Sequence, residues 1–325
     1  MMQYVDVATA RDHPMRHRDT LKSIPGHGLG QRTRTKKPRM TAARSRVCQL
    51  LLVQPLLTGA AATTSIFDFV NEHIFVHAKL NGQPGIWLLD TGSNLSVISP
   101  RAAALSACPA VTARAQQDPY GITRFVSAKK IELANVGAPL DVIGILPRLA
   151  DKVLRNDGIF ITGILGFDWL SRFVVQIDYR HNSIALLPPR SPALPRKSAK
   201  VIPLEVLGGV PVVPVSVNGG PAHRCLIDTG ANLVNIRWGM AISSGIHRND
   251  PGLKAGPRVA GLTATEMTQA IVLKQLALGS VIFKNLEVSL YDKTAIPWLH
   301  GNIGNSLLKS FKVTLDATNR QLVLE

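Results

Sequence analysis

At 325 residues with 46% apolar and 5% aromatic content, the chain can fill more than one hydrophobic core, which excludes a disordered polymer. Its formal net charge of +16 suggests a nucleic-acid partner until it is divided along the chain, where residues 1–46 hold 11 Lys and Arg against three Asp. Half of the charge therefore lies in that segment, the nucleic-acid reading loses most of its force, and no such partner is expected.

Taken in chain order, residues 1–62 read as a basic extension that ends in a signal-like segment. Gly26, Gly28 and Gly30 have the wrong spacing for a dinucleotide loop, and no apolar strand precedes them. Arg44 and Arg46 then precede an apolar stretch, Val47 to Leu57, which closes on Gly59-Ala60-Ala61-Ala62. This resembles a secretory signal peptide with translation starting at Met40, and it places the mature protein in the periplasm or outside the cell. A buried or interfacial helix continuing into the next segment is the other reading, and it would leave the protein in the cytoplasm. Gln49, Gln54 and Pro55 dilute the apolar core, so a stable membrane span is not expected. Cys48 falls in this segment, and the two remaining cysteines, Cys108 and Cys225, do not make a disulfide framework. Cys225 reads as a packed thiol in an apolar strand.

Short strands and tight turns follow. Ile74 to Leu80, a turn at Asn81-Gly82 and Ile86 to Leu89 form a hairpin that runs into Asp90-Thr91-Gly92. Phe167 to Arg172 suits a short helix after Ile164-Leu165-Gly166, and Phe173 to Asp178 with Ser183 to Leu187 forms a closing hairpin. Pro188, Pro189, Pro192 and Pro195, with Arg190, Arg196 and Lys197, mark a stiff solvated linker. The pattern then recurs: Val212 to Val217, a turn at Asn218-Gly219-Gly220, Cys225 to Ile227, and Asp228-Thr229-Gly230. Asn302-Ile303-Gly304, a short helix over Asn305 to Lys309 and a hairpin of Phe311 to Asp316 with Gln321 to Leu324 complete it. Asp90 and Asp228, Gly166 and Gly304, and Asp178 and Asp316 are each 138 residues apart. Two copies favour a pseudo-symmetric pair over a solenoid. The expected organisation is an extension at 1–62, a first lobe with linker at 63–194 and a second lobe at 195–325.

Amide hydrolysis without a metal or covalent intermediate needs one group to take a proton from water and another to protonate the carbonyl oxygen. Two facing carboxylates do both, because like charges a few ångströms apart cannot both ionise and the pair holds one shared proton. Asp90 and Asp228 are the candidates, with neither assigned as acid or base. Gly92 and Gly230 permit a sharp turn and close approach of neighbouring groups. Thr91 and Thr229 have hydroxyls that can hold the loops together if these meet across a two-fold axis. No cofactor is needed, and no metal site is expected, since His73 and His77 lie too far apart on one strand face to chelate one ion. Asp178 and Asp316 precede tight turns and read as turn-stabilising residues, while Trp87, Trp169 and Trp298 read as core.

On these motifs, over residues 67 to 325, the chain resembles retropepsin-like aspartic peptidases with both lobes fused in one chain, as in pepsins. The resemblance implies a mainly β fold of two pseudo-symmetric acid-protease β-barrel lobes with the active site in the interlobe cleft. It implies an endopeptidase with water as nucleophile, acting on a peptide or protein in extended conformation, with no homodimer required. It further implies that Thr91 and Thr229 interlock beneath the carboxylates and that Ile164-Leu165-Gly166 and Asn302-Ile303-Gly304 are the neighbouring strand motifs. Tyr120-Gly121 or Gly261 to Met267 would supply a flap. Two departures stand out: Asn302 replaces an apolar residue, and Ser93 follows the first Gly where Ala231 follows the second. An inactive peptide-binding module of the same fold is the alternative.

Overall fold

The computed structural model of the chain describes residues 64–111, 121–149, 160–189, 191, 197–260, 265–292 and 298–325. The basic extension, the signal-like segment and the lobe boundary near residue 194 lie outside the described residues. The first half comprises β1 (Thr64–Val70), β2 (His73–Leu80), β3 (Gln83–Asp90), β4 (Val97–Ile98), α1 (Pro100–Leu105), β5 (Ala110–Val111), β6 (Arg124–Leu133), β7 (Val136–Ile145), β8 (Gly163–Gly166), α2 (Phe167–Leu170), β9 (Val174–Asp178) and β10 (Ser183–Leu187). The second half comprises β11 (Lys200–Pro203), β12 (Glu205–Leu207), β13 (Val210–Val217), β14 (His223–Ile227), β15 (Asn235–Arg237), α3 (Trp238–Ser243), β16 (Lys254–Ala260), β17 (Thr265–Leu278), β18 (Val281–Tyr291), β19 (Gly301–Ile303), α4 (Asn305–Leu308), β20 (Lys312–Asp316) and β21 (Gln321–Leu324).

Local chemistry explains the hairpins that deliver the two Asp-Thr-Gly loops. Asn81 and Gly82 have φ of 49° and 87°, and Asn218 and Gly219 have φ of 49° and 78°, so each pair supplies the two left-handed residues of a tight hairpin turn. Along β2 the side chains alternate as a half-buried strand requires: Val76, Ala78 and Leu80 point into the core, and His77 and Lys79 point to solvent.

Each half closes a six-stranded barrel. In the first, the order β2-β3-β8-β4-β7-β6 is completed by β6 pairing back to β2; in the second, β13-β14-β19-β15-β18-β17 is completed by β17 pairing back to β13. Trp87 and Trp169 fill the first core and are fully buried, while Trp298 packs half-buried at the edge of a smaller cluster of Val210, Val212, Leu226 and Leu299. Cys225 is buried with its Sγ 3.8 Å from Met240 Sδ, and both Cys108 and Cys225 are free thiols.

A further sheet, not foreseen from the sequence, joins the halves. Its order is β11-β21-β20-β9-β10-β1, and its centre is the antiparallel pair β9 and β20, in which Gln176 faces Thr314. The turn carboxylates sit at its ends. Asp178 accepts from His181 N at 3.2 Å, and Asp316 accepts from Asn319 N at 2.9 Å and Asn319 Nδ2 at 2.8 Å.

Candidate active site

Each Asp-Thr-Gly loop leaves the end of a strand that runs parallel to a neighbour carrying the later glycine. Asp90 faces Gly166 on β8, and Ile227, just before Asp228, faces Ile303 on β19. The later glycines are required by contact: a Cβ on Gly304 would lie 2.3 Å from Leu233 O, and one on Gly166 2.9 Å from Ser93 O. With no side chain in the way, Phe167 N donates to Ser93 O at 2.7 Å and Asn305 N to Ala231 O at 2.9 Å, which fastens each loop from below.

The two loops lock together through reciprocal hydrogen bonds. Thr91 N donates to Thr229 Oγ1 and Thr229 N donates to Thr91 Oγ1, each at 3.0 Å. The hydroxyls pass their own protons onward, Thr91 Oγ1 to Ile227 O at 2.7 Å and Thr229 Oγ1 to Leu89 O at 2.9 Å. Both threonines are fully buried, so each of these polar groups depends on the other loop for its partner.

This lock brings Asp90 and Asp228 together. A Cβ on Gly92 would lie 2.5 Å from Asp228 Oδ1, and one on Gly230 2.3 Å from Asp90 Cγ, so each loop's glycine makes room for the other loop's carboxylate. Both carboxylates are buried. Burial first, and the Asp90 charge second, push the Asp228 carboxyl up to about 7. Asp228 Oδ1 accepts from Gly230 N at 3.0 Å and Oδ2 from Asn302 Nδ2 at 3.3 Å, whereas Asp90 Oδ1 is buried with no hydrogen-bond partner among the described residues.

Both departures have defined hydrogen-bond partners. Ser93 does not serve Asp90: its hydroxyl donates to Leu95 O at 2.7 Å and accepts from Leu95 N at 3.4 Å. Asn302 is buried and hydrogen-bonded to Asp228.

Three further residues act on the loops. Asn305, fully buried, donates from Nδ2 to Thr229 O at 2.7 Å and Glu72 O at 2.8 Å, and its Oδ1 accepts from Tyr179 Oη at 2.7 Å. Asp168 accepts from Ser96 N at 2.8 Å and Ser96 Oγ at 2.6 Å, and Gly166 N donates to Ser96 Oγ at 2.9 Å. Burial still outweighs these donors and pushes Asp168 up to about 6. His73 Nδ1 donates to Asn71 O at 2.7 Å, and burial lowers the pKa of its ring, which lies near Asp90. A polar residue directly after the later glycine, Asn305 where the first half has Phe167, was the sequence signal for the first of these.

His77 Nε2 lies 3.5 Å from Asp68 Oδ2, and no group of three or more His, Cys, Asp or Glu is arranged to hold a metal ion among the described residues. Of the flap candidates, Gly121 precedes β6 with φ of 82°, and Thr265 to Met267 begin β17; Tyr120 and residues 261–264 lie outside the described residues. No helix of the described residues is long and apolar enough to cross a membrane.

Comparison with known proteins agrees with this fold. Residues 213–308 match the aspartyl protease family model. No curated protein matches the chain. Among solved structures, the aspartic proteinase from Irpex lacteus superposes with a TM-score of 0.51 at 13% sequence identity, covering 81% of this chain and 97% of that one. The chain thus has the fold of an aspartic proteinase, and the part of it that matches the aspartyl protease family model contains the second Asp-Thr-Gly loop, Asp228-Thr229-Gly230.

Proposed function

We propose that the protein is an aspartic endopeptidase that hydrolyses peptide bonds with water activated by the Asp90 and Asp228 pair. The observation that carries this reading is the reciprocal threonine lock, which sets two buried carboxylates against each other at the ends of parallel strands. A pair holding one proton takes a proton from water with its ionised member and protonates the scissile carbonyl oxygen with the other. The substrate binds extended, its backbone supplying hydrogen bonds and its side chains selecting pockets. One chain supplies both carboxylates, so a monomer suffices. Export to the periplasm or beyond is part of the proposal, and sequencing the mature N-terminus tests it: retention of residues 1–39 overturns the Met40 start.

The direct test is cleavage of a diverse peptide library by the purified protein between acidic and neutral pH, beside Asp90→Asn and Asp228→Asn. The expected result is cleavage by the wild type, a loss of at least about 100-fold in each variant, and a fall in rate as pH rises through about 7 when the pair gives up its shared proton. A folded wild type that cuts nothing but binds peptides overturns the endopeptidase reading in favour of the binding module.

A further inference from the structure

The two halves differ in one row of buried side chains beside the carboxylates. In the second half Ser289, Asn235 and Asn302 lie side by side across β18, β15 and β19. At the same sheet positions of the first half, β7, β4 and β8 carry Gly144, Val97 and Ile164. All three polar residues are buried, with Asn302 only 3% exposed. Amides in place of a packed Val and Ile cost stability unless their groups find partners. Asn235 Nδ2 donates to Leu233 O at 3.2 Å, in the segment that follows Gly230, and Asn302 Nδ2 donates to Asp228 Oδ2 at 3.3 Å. The row thus ends on one carboxylate of the pair and leaves the other without a counterpart.

We propose that Asn302 is a positioning residue of the pair: its amide, with Gly230 N, holds the single negative charge on Asp228 and leaves the shared proton on Asp90. A donor aimed at a carboxylate favours its ionised form, and Asp228 accepts two N–H groups while Asp90 Oδ1 takes none. Two carboxyls that share one proton titrate as a pair, so the high second ionisation does not say which of them holds the first charge; the donors do. The titratable or charged groups on the surrounding elements are Asp90 on β3, His73, His77 and Lys79 on β2, His223, Arg224 and Cys225 on β14, Arg237 on β15, Lys284, Glu287 and Tyr291 on β18 and Asp168 on α2; His77, Lys79, Arg224, Lys284 and Glu287 are exposed. Of these, the charge of Asp90 weighs most on Asp228, and burial keeps His73 towards its neutral form. The kinetic consequence rests on the endopeptidase reading, whereas the placement of the charge does not.

The test therefore uses two readouts on the full chain. Carboxyl ¹³C NMR of protein labelled at aspartate, with Asp90→Asn and Asp228→Asn for assignment, follows the first ionisation of the pair without any need for turnover. Library cleavage against pH runs beside it. Asn302→Ile, which restores the residue of the first half, is expected to raise the first ionisation step on Asp228 by about one pH unit. The acid limb of the cleavage profile should rise equally. Asn302→Ser removes the amide without added bulk and gives the same shift if the Ile variant does not fold. An unmoved first step in a folded variant, or a first step that belongs to Asp90 in the wild type, overturns the proposal whether or not peptides are cut. A shifted step in a protein that cuts nothing leaves the proposal standing and overturns the endopeptidase reading instead.

Discussion

Thr229 and Gly92 test the lock one residue at a time. Thr229→Val keeps the volume but strips Thr91 N of its acceptor and Leu89 O of its donor, both within buried loops. Each orphaned group costs about 1–3 kcal/mol, so urea denaturation should show a loss of about 2–4 kcal/mol, with Thr229→Ser losing less than about 1 kcal/mol. A Val variant as stable as the wild type would mean that the loops are held by packing alone. Gly92→Ala places a methyl 2.5 Å from Asp228 Oδ1, too close for both to stay. The carboxylate must move, and a misplacement of this size is expected to lower cleavage about 100-fold while leaving the thermal midpoint nearly unchanged. These residues were legible in the sequence because Asp-Thr-Gly recurs at the end of an apolar strand in both halves. The role of Asn302 was not legible, because what a strand residue touches depends on register across β14, β15 and β19, which one-dimensional pattern does not contain.

At the scale of elements, β4, β8 and α2 meet at Asp168 and Ser96, a bond network with no carboxylate at the equivalent position of the second half, where Ser306 stands. Asp168 is raised from 3.8 to about 6 by burial, so the folded protein binds its proton more tightly than the unfolded chain does. The stability this contributes is fully present below about pH 4 and is lost as pH rises through about 6, a swing of about 3 kcal/mol at most. Melting temperatures of the wild type and Asp168→Asn should therefore diverge between pH 4 and 7, with the variant showing the shallower decline. Parallel curves would locate the titration elsewhere. The elements that matched expectation were those with strong local punctuation. The Asn-Gly turns fixed the hairpins into each loop, and α2 and α4 start directly after the later glycines. Helices α1 and α3 went unread, since six residues offer too little periodicity; the Ser99-Pro100 start of α1, with Ser99 Oγ accepting from Ala102 N, was its one visible signal.

At the scale of the whole molecule, two barrels were expected, and the sheet that joins them was not. Its strands β1 and β11 precede the repeated hairpins, and the pairing of β9 with β20 spans the two halves, so neither is visible within one copy of the motif. Because β9 pairs with β20 and so makes β1, β10, β9, β20, β21 and β11 one continuous sheet, the halves should not melt apart. The four tryptophans, Trp87 and Trp169 in one half and Trp238 and Trp298 in the other, allow a direct check. Fluorescence and calorimetry should give one cooperative transition, whereas two resolved transitions would show that the sheet does not couple the halves. Leu322→Ala in β21, fully buried, should lower that single transition at a cost of about 2–5 kcal/mol.

The same sheet bears on how the chain is made. While the ribosome is still adding residues, Val174–Asp178 is an open strand edge, since its partner Lys312–Asp316 lies more than 130 residues further along the chain. Two chains growing side by side on one message can pair that edge with each other's late strands, so the seam that unites the mature molecule is also open to exchange between neighbouring nascent copies.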